Sequence, residues 1–473
     1  MVYGGYKYLE LDYVPDRKND LVTFLWASGQ YDIEKLAEGL AAESSVGTWT
    51  EIKTINDRVF SSYRAKVFKL VKTSQTSGFV WIAYPMDHFE EDNLLQILAS
   101  IRGNVFSLEE LTSLKFLDIS MPSRLQRHYP GPGKGLEGVR RRAGTLESGR
   151  PHSGTIVKPK VGLAPGEWAE VAKNSYLGGL DFVKDDENLV NQPFCRWEER
   201  VDAMMEVIDE MKDQTGRRVM YSPNITAPYG KMMERLDYLD SIGWDIVMLD
   251  VYFIGYSALE DIIRDIQRRG MIIHAHRAGH TAETRGAFGV EYHVHAKLWR
   301  LLGVDQLHTG TGVGKMEGPP LFIRRYGQEM TSQHIEEALH LLSLDFDWDD
   351  HIKPLMPVAS GGLDAGRVDA LGEIYGRDFV AQAGGGIHGH PGGTTAGAKS
   401  LRDAVDALAE GVPAPVKAES SPELKAALDL WGYVDPAGVR GVLDMVDSNK
   451  DIFRSLLFTM GYEAFGILER LRK

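Results

Sequence analysis

The chain has 473 residues, 43% of them hydrophobic and 25% charged, with a formal net charge of -14. That length supports two or three domains around a large core, and the acidic balance argues against a nucleic-acid partner while leaving room for local basic pockets that hold small anions. A single cysteine, Cys195, excludes an internal disulfide and fits a reducing cytoplasm; the first twenty residues lack the apolar centre of a signal peptide, and no run of about 18 apolar residues is present to span a membrane.

Residues 1–135 predict a small α+β domain with an antiparallel sheet. Segments 6–15 and 58–73 alternate apolar and polar residues, as half-buried strands do, and 78–85 and 114–122 are more apolar strands. Segments 32–45 and 90–104 have helical periodicity with acidic starts. The Gly/Pro-rich stretch 128–138 reads as a linker.

Residues 136–412 have a different texture. Eight short apolar runs recur: GTIVKPK, GGLDFVKDDE, RRVMYSPNIT, WDIVMLDVY, MIIHAHRAGH, VDQLHTGTG, LMPVASGG and DFVAQAGGG. Helical segments such as 194–216, 331–344 and 395–412 lie between or after them. Eight strand–helix units in about 250 residues is the arithmetic of a (β/α)8 barrel; a doubly wound sheet is the competing arrangement but rarely has so many units. Residues 413–473 predict a helical extension, with helices over 421–432, 435–447 and 450–473 that pack on the barrel or form a subunit contact, the former being the simpler reading of ordinary apolar helix faces.

In a barrel the chemistry gathers at the C-terminal ends of the strands. Those ends carry Lys158 and Lys160; Lys184, Asp185, Asp186 and Glu187; Asn224; His274, His276 and Arg277, with His280 beyond; His308 and Thr309; Ser360, Gly361 and Gly362; and Gly384, Gly385 and Gly386. Asp186 and Glu187 are hard oxygen donors suited to Mg²⁺, or else a salt-bridged strand end. The spacing in HAHRAGH is open between a zinc site, a catalytic base and a phosphate contact; His280 alone reads as a helix-start histidine. GTGVGK fails the phosphate-loop pattern, because Met316 follows the lysine, and reads as a mobile glycine-hinged loop that carries Lys315 to a substrate. SGG and GGG suit phosphate binding by backbone N–H groups, and Lys158 and Lys160 add positive charge opposite. Residue chemistry therefore points to a substrate with two phosphates, an enolate-type oxyanion stabilised by a central metal, and proton transfer by lysine or histidine.

Taken together, TIVKPK, GGLDFVKDDE, HAHRAGH, HTGTGVGKMEG, PVASGG and GGGIHGHPGG resemble the large subunit of ribulose-1,5-bisphosphate carboxylase/oxygenase (RuBisCO). ESSVGTWT (43–50) and GNVF (103–106) extend the resemblance into the N-terminal domain, over roughly residues 5–415, and the details look most like the archaeal form III branch. The resemblance implies Mg²⁺ held by Asp186, Glu187 and Lys184, the last as a carbamate formed with activator CO2. It implies Lys158 and His276 as proton carriers, Lys160 as support for the enediolate, and Lys315 as the loop residue that stabilises the new carboxylate. Arg277, His308, Ser360, Gly361, Gly362, Gln382, Gly384 and Gly385 then hold ribulose 1,5-bisphosphate, chiefly its phosphates, ahead of reaction with CO2 or O2. Glu43, Thr48, Trp49 and Asn104 reach the neighbouring subunit's site, which makes a homodimer the minimum active unit and a larger homo-oligomer without small subunits the expected assembly. By charge count, Lys184 beside three carboxylates holds its proton tightly, which opposes attack on CO2 unless metal capture offsets it. Two residues depart from the family pattern: Gly279 stands where methionine is common, and Gly312 stands where valine is common, adding flexibility near Lys315. The rivals are a RuBisCO-like protein that enolises or isomerises another phosphorylated sugar, and a non-catalytic assembly protein on a retained barrel.

Overall fold

DLVTFLWASG, Asp20–Gly29, is buried at nearly every position and forms β1, the central strand of the N-terminal sheet in the computed structural model, which describes residues 6–48, 50–316, 318–336 and 343–461. The alternation reading passes over this segment because both of its faces are buried, and period-two contrast then disappears. β3 (Ser77–Pro85) and β4 (Leu111–Ser120) flank it antiparallel, and β2 (Lys66–Lys72) pairs with β3. Segment 6–15 contributes only a bridge between Leu9 and Val67. The first part of 58–73 is a helix, Asp57–Tyr63, because the Asn56 side chain accepts from the Val59 N–H and caps it. The stretch read as a linker already contains the start of helix Gly135–Ala143.

Eight parallel strands follow: β5 (His152–Ile156), β6 (Phe182–Lys184), β7 (Met220–Ser222), β8 (Ile246–Asp250), β9 (Ile272–His276), β11 (Gln306–His308), β14 (Met356–Ser360) and β15 (Val380–Ala383). Their order is β7-β6-β5-β15-β14-β11-β9-β8, and a parallel bridge between Asn224 and Met248 closes the ring. β10 (Phe288–Val290) instead joins the edge of the N-terminal sheet, parallel to β4. Apolar residues that open the strands, among them Phe182, Met220, Ile246, Ile272, Met356 and Val380, meet Val139 of helix Gly135–Ala143 in one cluster. This plug seals the N-terminal end of the barrel, so polar side chains further along the strands face the opposite mouth.

Segment 331–344 is not the helix that its periodicity predicts. The helix after β11 is Pro320–Thr331, with proline at its first turn, and His334–Ile335 (β12) pairs antiparallel with Phe346–Asp347 (β13). Residues 337–342 of that expectation lie outside the described residues. In the extension, helix Pro422–Trp431 packs on helix Gly393–Glu410, and helix Pro436–Ser448 packs on Pro320–Thr331 and Val368–Tyr375. Helix Lys450–Met460 leaves the barrel and lays Phe453 and Phe458 on the aromatic face of the N-terminal sheet, with Phe458 5.2 Å from Phe79. The expectation was packing on the barrel or a subunit contact. The stacked Phe24–Trp81 pair and its neighbours, buried beneath this helix, supply the more apolar surface. Residues 462–473 of the predicted third helix lie outside the described residues. No helix among the described residues is long and apolar enough to cross a membrane.

Candidate active site

A cavity of about 420 Å³ opens at the C-terminal mouth of the barrel. It is lined by Lys158, Lys184, Asp186, Glu187, His276, Arg277, His308, Lys315, Ser360, Gly361, Gly362, Gln382, Gly384 and Gly385. Residues far apart in sequence meet there because each ends a strand or opens the following loop. Of the barrel residues to which the resemblance gives a role, Lys160 alone stays out of the lining, and it is exposed; the strand-end residues Asp185, Asn224, His274, His280, Thr309 and Gly386 also lie outside it. Glu43, Thr48 and Asn104 do not line this cavity either, and Trp49 lies outside the described residues.

Strand β6 divides its charges by alternation. Lys184 points into the barrel and is fully buried; its Nζ donates to the Asp185 carbonyl at 2.9 Å and touches Met248 Sδ at 3.6 Å. Burial holds its pKa below the ordinary lysine value, against the opposing pull of Glu187, Asp250, Asp186 and Asp185. The charge-count expectation of a tightly held proton is therefore overturned: desolvation outweighs carboxylates that make no ion pair with this amine among the described residues. Asp185 points the other way. Its carboxylate takes two hydrogen bonds from the Arg200 guanidinium, at 2.9 and 3.1 Å, one from Tyr221 at 3.0 Å and one from the Asn224 N–H at 2.9 Å. Both Asp185 and Arg200 are fully buried. Asp185→Ala leaves that guanidinium unpaired and is expected to cost about 3–5 kcal/mol in chemical denaturation, the scale of a broken buried pair; a loss under about 1 kcal/mol contradicts this account.

Asp186 returns to the cavity. Burial raises its pKa, but hydrogen bonds from Lys158 Nζ at 2.7 Å and from Asn188 outweigh that and bring it to about 2. Glu187 Oε2 lies 3.7 Å from His276 Nε2. The other nitrogen of His276, Nδ1, is 3.0 Å from Asp250 Oδ1. Asp250 is a functional neighbour that sequence reasoning missed. It ends β8, and the strand-end rule finds it once it is applied to WDIVMLDVY.

The three histidines of HAHRAGH turn to different partners, which removes the zinc reading. His274 bonds Gln306 and His308, His276 faces Asp250, and His280 Nδ1 bonds the Arg277 carbonyl just before helix Thr281–Thr284, as a helix-start histidine does. Asp118, His293 and Glu329 also come within 4.8 Å of one another in the interior. There the Lys297 ammonium lies 2.6 Å from Asp118 and the Arg325 Nε 3.1 Å from Glu329, so side-chain cations already balance that group between sheet and barrel.

The opposite wall is rich in glycine. Gly384 and Gly385 open a short helical turn, and a Cβ at Gly385 would meet nothing within 4 Å. Gln382 is buried, lines the cavity, and has no hydrogen-bond partner for either amide atom, so its amide awaits a polar ligand. The loop after β11 is folded over the site: the Lys315 N–H donates to the Gly361 carbonyl at 3.2 Å. Gly361, at φ +115, leaves space that Met316 fills; a Cβ there would stand 2.2 Å from Met316 Cγ. Tyr375 fixes the start of this loop through Thr309 at 2.7 Å and the Gly310 carbonyl at 2.8 Å. Gly312 is a packed position at φ +68, where a Cβ would meet Ile374 and Pro320 at 3.0 Å, so backbone conformation and space both require glycine. Gly279, at φ +91, leaves room for the rings of Tyr252 and Phe253.

Residues 138–431 match the family described as ribulose bisphosphate carboxylase large chain, catalytic domain, and residues 7–125 match its N-terminal domain. The chain is 43% identical to the ribulose bisphosphate carboxylase of Methanocaldococcus jannaschii over 429 residues, 90% of this chain and 99% of that protein. It is 41% identical to that of Pyrococcus furiosus, over 91% of this chain and 98% of the relative. Among solved structures it is similar to an archaeal Rubisco (TM-score 0.85, 37% identity, 90% of this chain and 99% of that one). It is also similar to an octameric Rubisco of Pyrococcus horikoshii in complex with sulfate (0.82, 40%, 90% and 96%) and to a dimeric Rubisco of Hyperthermus butylicus (0.84, 35%, 90% and 99%).

Proposed function

Because the chain belongs to the ribulose-1,5-bisphosphate carboxylase/oxygenase large-chain family, we propose that its barrel mouth enolises ribulose 1,5-bisphosphate, adds CO2 or O2, and cleaves the carboxylated product to two molecules of 3-phosphoglycerate. The carboxylase is in this reading a carbon–carbon lyase. The observation that carries it is the convergence of Lys158, Lys184, Lys315, Asp186, Glu187 and His276 in one cavity between two glycine-rich strand ends. The match to ribulose bisphosphate carboxylases over about nine tenths of the chain, with this set of side chains retained in one cavity, disfavours both rivals.

Burial of Lys184 favours the neutral amine, the form that reacts with CO2. Its Nζ attacks the carbon, an N–C bond forms, one N–H proton leaves to solvent, and a carboxylate results. With Asp186 and Glu187 this makes a hard, all-oxygen donor set that suits Mg²⁺. When bound, the ion supplies a Lewis acid that holds the negative charge of the enediolate. Lys158, 2.7 Å from Asp186, stands beside that set and is placed to carry the C3 proton. Asp250 holds the Nδ1 side of His276, which directs Nε2 toward Glu187 for acid–base work in hydration and cleavage. Arg277, His308, Ser360, Gln382 and the paired glycines form the phosphate and hydroxyl contacts. Lys160 is exposed in this state, so its support of the enediolate requires the segment after Lys158 to turn inward with substrate.

Relatives described as dimeric and octameric support a homo-oligomer built on dimers. In that assembly Glu43, Thr48, Trp49 and Asn104 serve the neighbouring site; the first, second and fourth lie outside this chain's own cavity, as that role requires. We assign the assembly to the cytoplasm without small subunits. The reading is tested by binding of a carboxylated bisphosphate analogue to the oligomer. One tightly held molecule per chain, dependent on both Mg²⁺ and CO2, is expected. Binding indifferent to both contradicts the proposal.

A further inference from the structure

We propose that Gln306, at the base of β11 inside the barrel, is a positioning residue that sets which way His308 presents its proton to a substrate phosphate. The inference rests on the reading of His308 as a phosphate contact. Alternate residues of β9 and β11 point inward, which brings Gln306, His274 and His308 into a row. His274 Nδ1 is 2.8 Å from Gln306 Oε1, and His274 Nε2 is 2.9 Å from His308 Nε2. All three side chains are buried. The remaining ring nitrogen of His308, Nδ1, has no partner among the described residues, and the ring lines the cavity.

Two neutral imidazoles in series permit only two proton arrangements. In the first, the Gln306 carbonyl accepts from His274 Nδ1–H, His274 Nε2 accepts from His308 Nε2–H, and His308 Nδ1 meets the cavity as a bare lone pair. In the second, the Gln306 amide N–H donates to His274 Nδ1, His274 Nε2–H donates to His308 Nε2, and His308 offers an N–H from Nδ1. A phosphate dianion only accepts hydrogen bonds, so only the second arrangement receives it. A carboxamide has nearly the same shape with its oxygen and nitrogen exchanged, so Gln306 supports either arrangement by turning over. Burial above all holds His308 well below the ordinary histidine pKa, which disfavours a doubly protonated ring as the alternative donor.

Three variants of the full-length oligomer test this. As a carboxylate, the side chain of Gln306→Glu offers only acceptor atoms and draws the proton to His274 Nδ1, which favours the first arrangement while both rings stay neutral. This variant is expected to raise KM for ribulose 1,5-bisphosphate by about tenfold or more, the scale of a lost charge-assisted hydrogen bond, while kcat and KM for CO2 stay within about twofold. Gln306→His retains a ring N–H donor and is expected to keep KM within about threefold; Gln306→Met has neither donor nor strong acceptor and is expected to fall between. An unchanged KM in Gln306→Glu overturns the inference, and so does an equal loss of kcat and KM in all three variants, which is a packing effect. Should Gln306→Glu fail to fold, equal KM values for the Met and His variants overturn it instead. His308→Ala separates the two claims: if its KM for the bisphosphate is unchanged, the phosphate reading of His308 is at fault, whereas a raised KM there with a normal Gln306→Glu removes only the role of Gln306.

Discussion

Lys184→Ala abolishes carboxylation and exchange of the substrate C3 proton together, each by at least about 10³-fold, the upper range for loss of a single charge-stabilising group. Both are expected to fall because the proposed role of Lys184, as the third carboxylate of the metal set, precedes enolisation. Lys184→Met separates this from misfolding. The native amine is fully buried and, among the described residues, donates only to a backbone carbonyl and a thioether. An apolar chain of similar length therefore removes a desolvation cost without breaking an ion pair, and the variant is expected to unfold no more easily than the parent. Substantial carboxylation in either variant contradicts the assignment of Lys184. Chelation of Mg²⁺ in the parent is expected to give the same paired loss.

Lys315→Ala shows the complementary pattern. Its ammonium is needed only when a new carboxylate forms, so C3 exchange is expected to stay within about threefold while carboxylation falls by about 10²–10³-fold. The variant keeps the main-chain contact that seats the loop, since the Lys315 N–H rather than its side chain bonds the Gly361 carbonyl. Tyr375 still holds Thr309 and Gly310. Equal loss of exchange and carboxylation means that Lys315 acts in enolisation, against this account.

The site was more legible in sequence than the fold details were, for a physical reason. Barrel topology sends every strand end to one mouth, so a search of strand ends finds residues that distance along the chain conceals. Asp250 escaped because the helix that follows β8 starts at once with Val251, leaving no polar loop to mark the strand's end. Asp185 is legible only as one more strand-end charge; its partner Arg200 is fifteen residues away on helix Trp197–Thr215, and no local pattern reveals that contact. The proton on Lys184 was misjudged because residue types count charges but do not report burial. β1 vanished from the alternation signal because the sheet is covered on one face by helices Ile33–Glu43 and Leu94–Arg102 and on the other by the C-terminal helix.

That C-terminal helix lies beyond the part of the chain that the family describes, whose catalytic domain match ends at residue 431. It reaches the N-terminal sheet by way of helix Pro436–Ser448, which is anchored to the barrel by the two-pronged Arg324–Asp447 pair at 2.7 and 2.8 Å. Arg324 belongs to helix Pro320–Thr331, which follows directly on the Lys315 loop. The extension thus ties the N-terminal sheet to the same helix that anchors the far end of the loop.

The most direct test of the central claim is to supply the oligomer with ribulose 1,5-bisphosphate, Mg²⁺ and labelled CO2 and to follow the label. The account predicts labelled 3-phosphoglycerate in the parent and none in Lys184→Ala. Turnover of the bisphosphate, or of another sugar phosphate, with no label in 3-phosphoglycerate contradicts it.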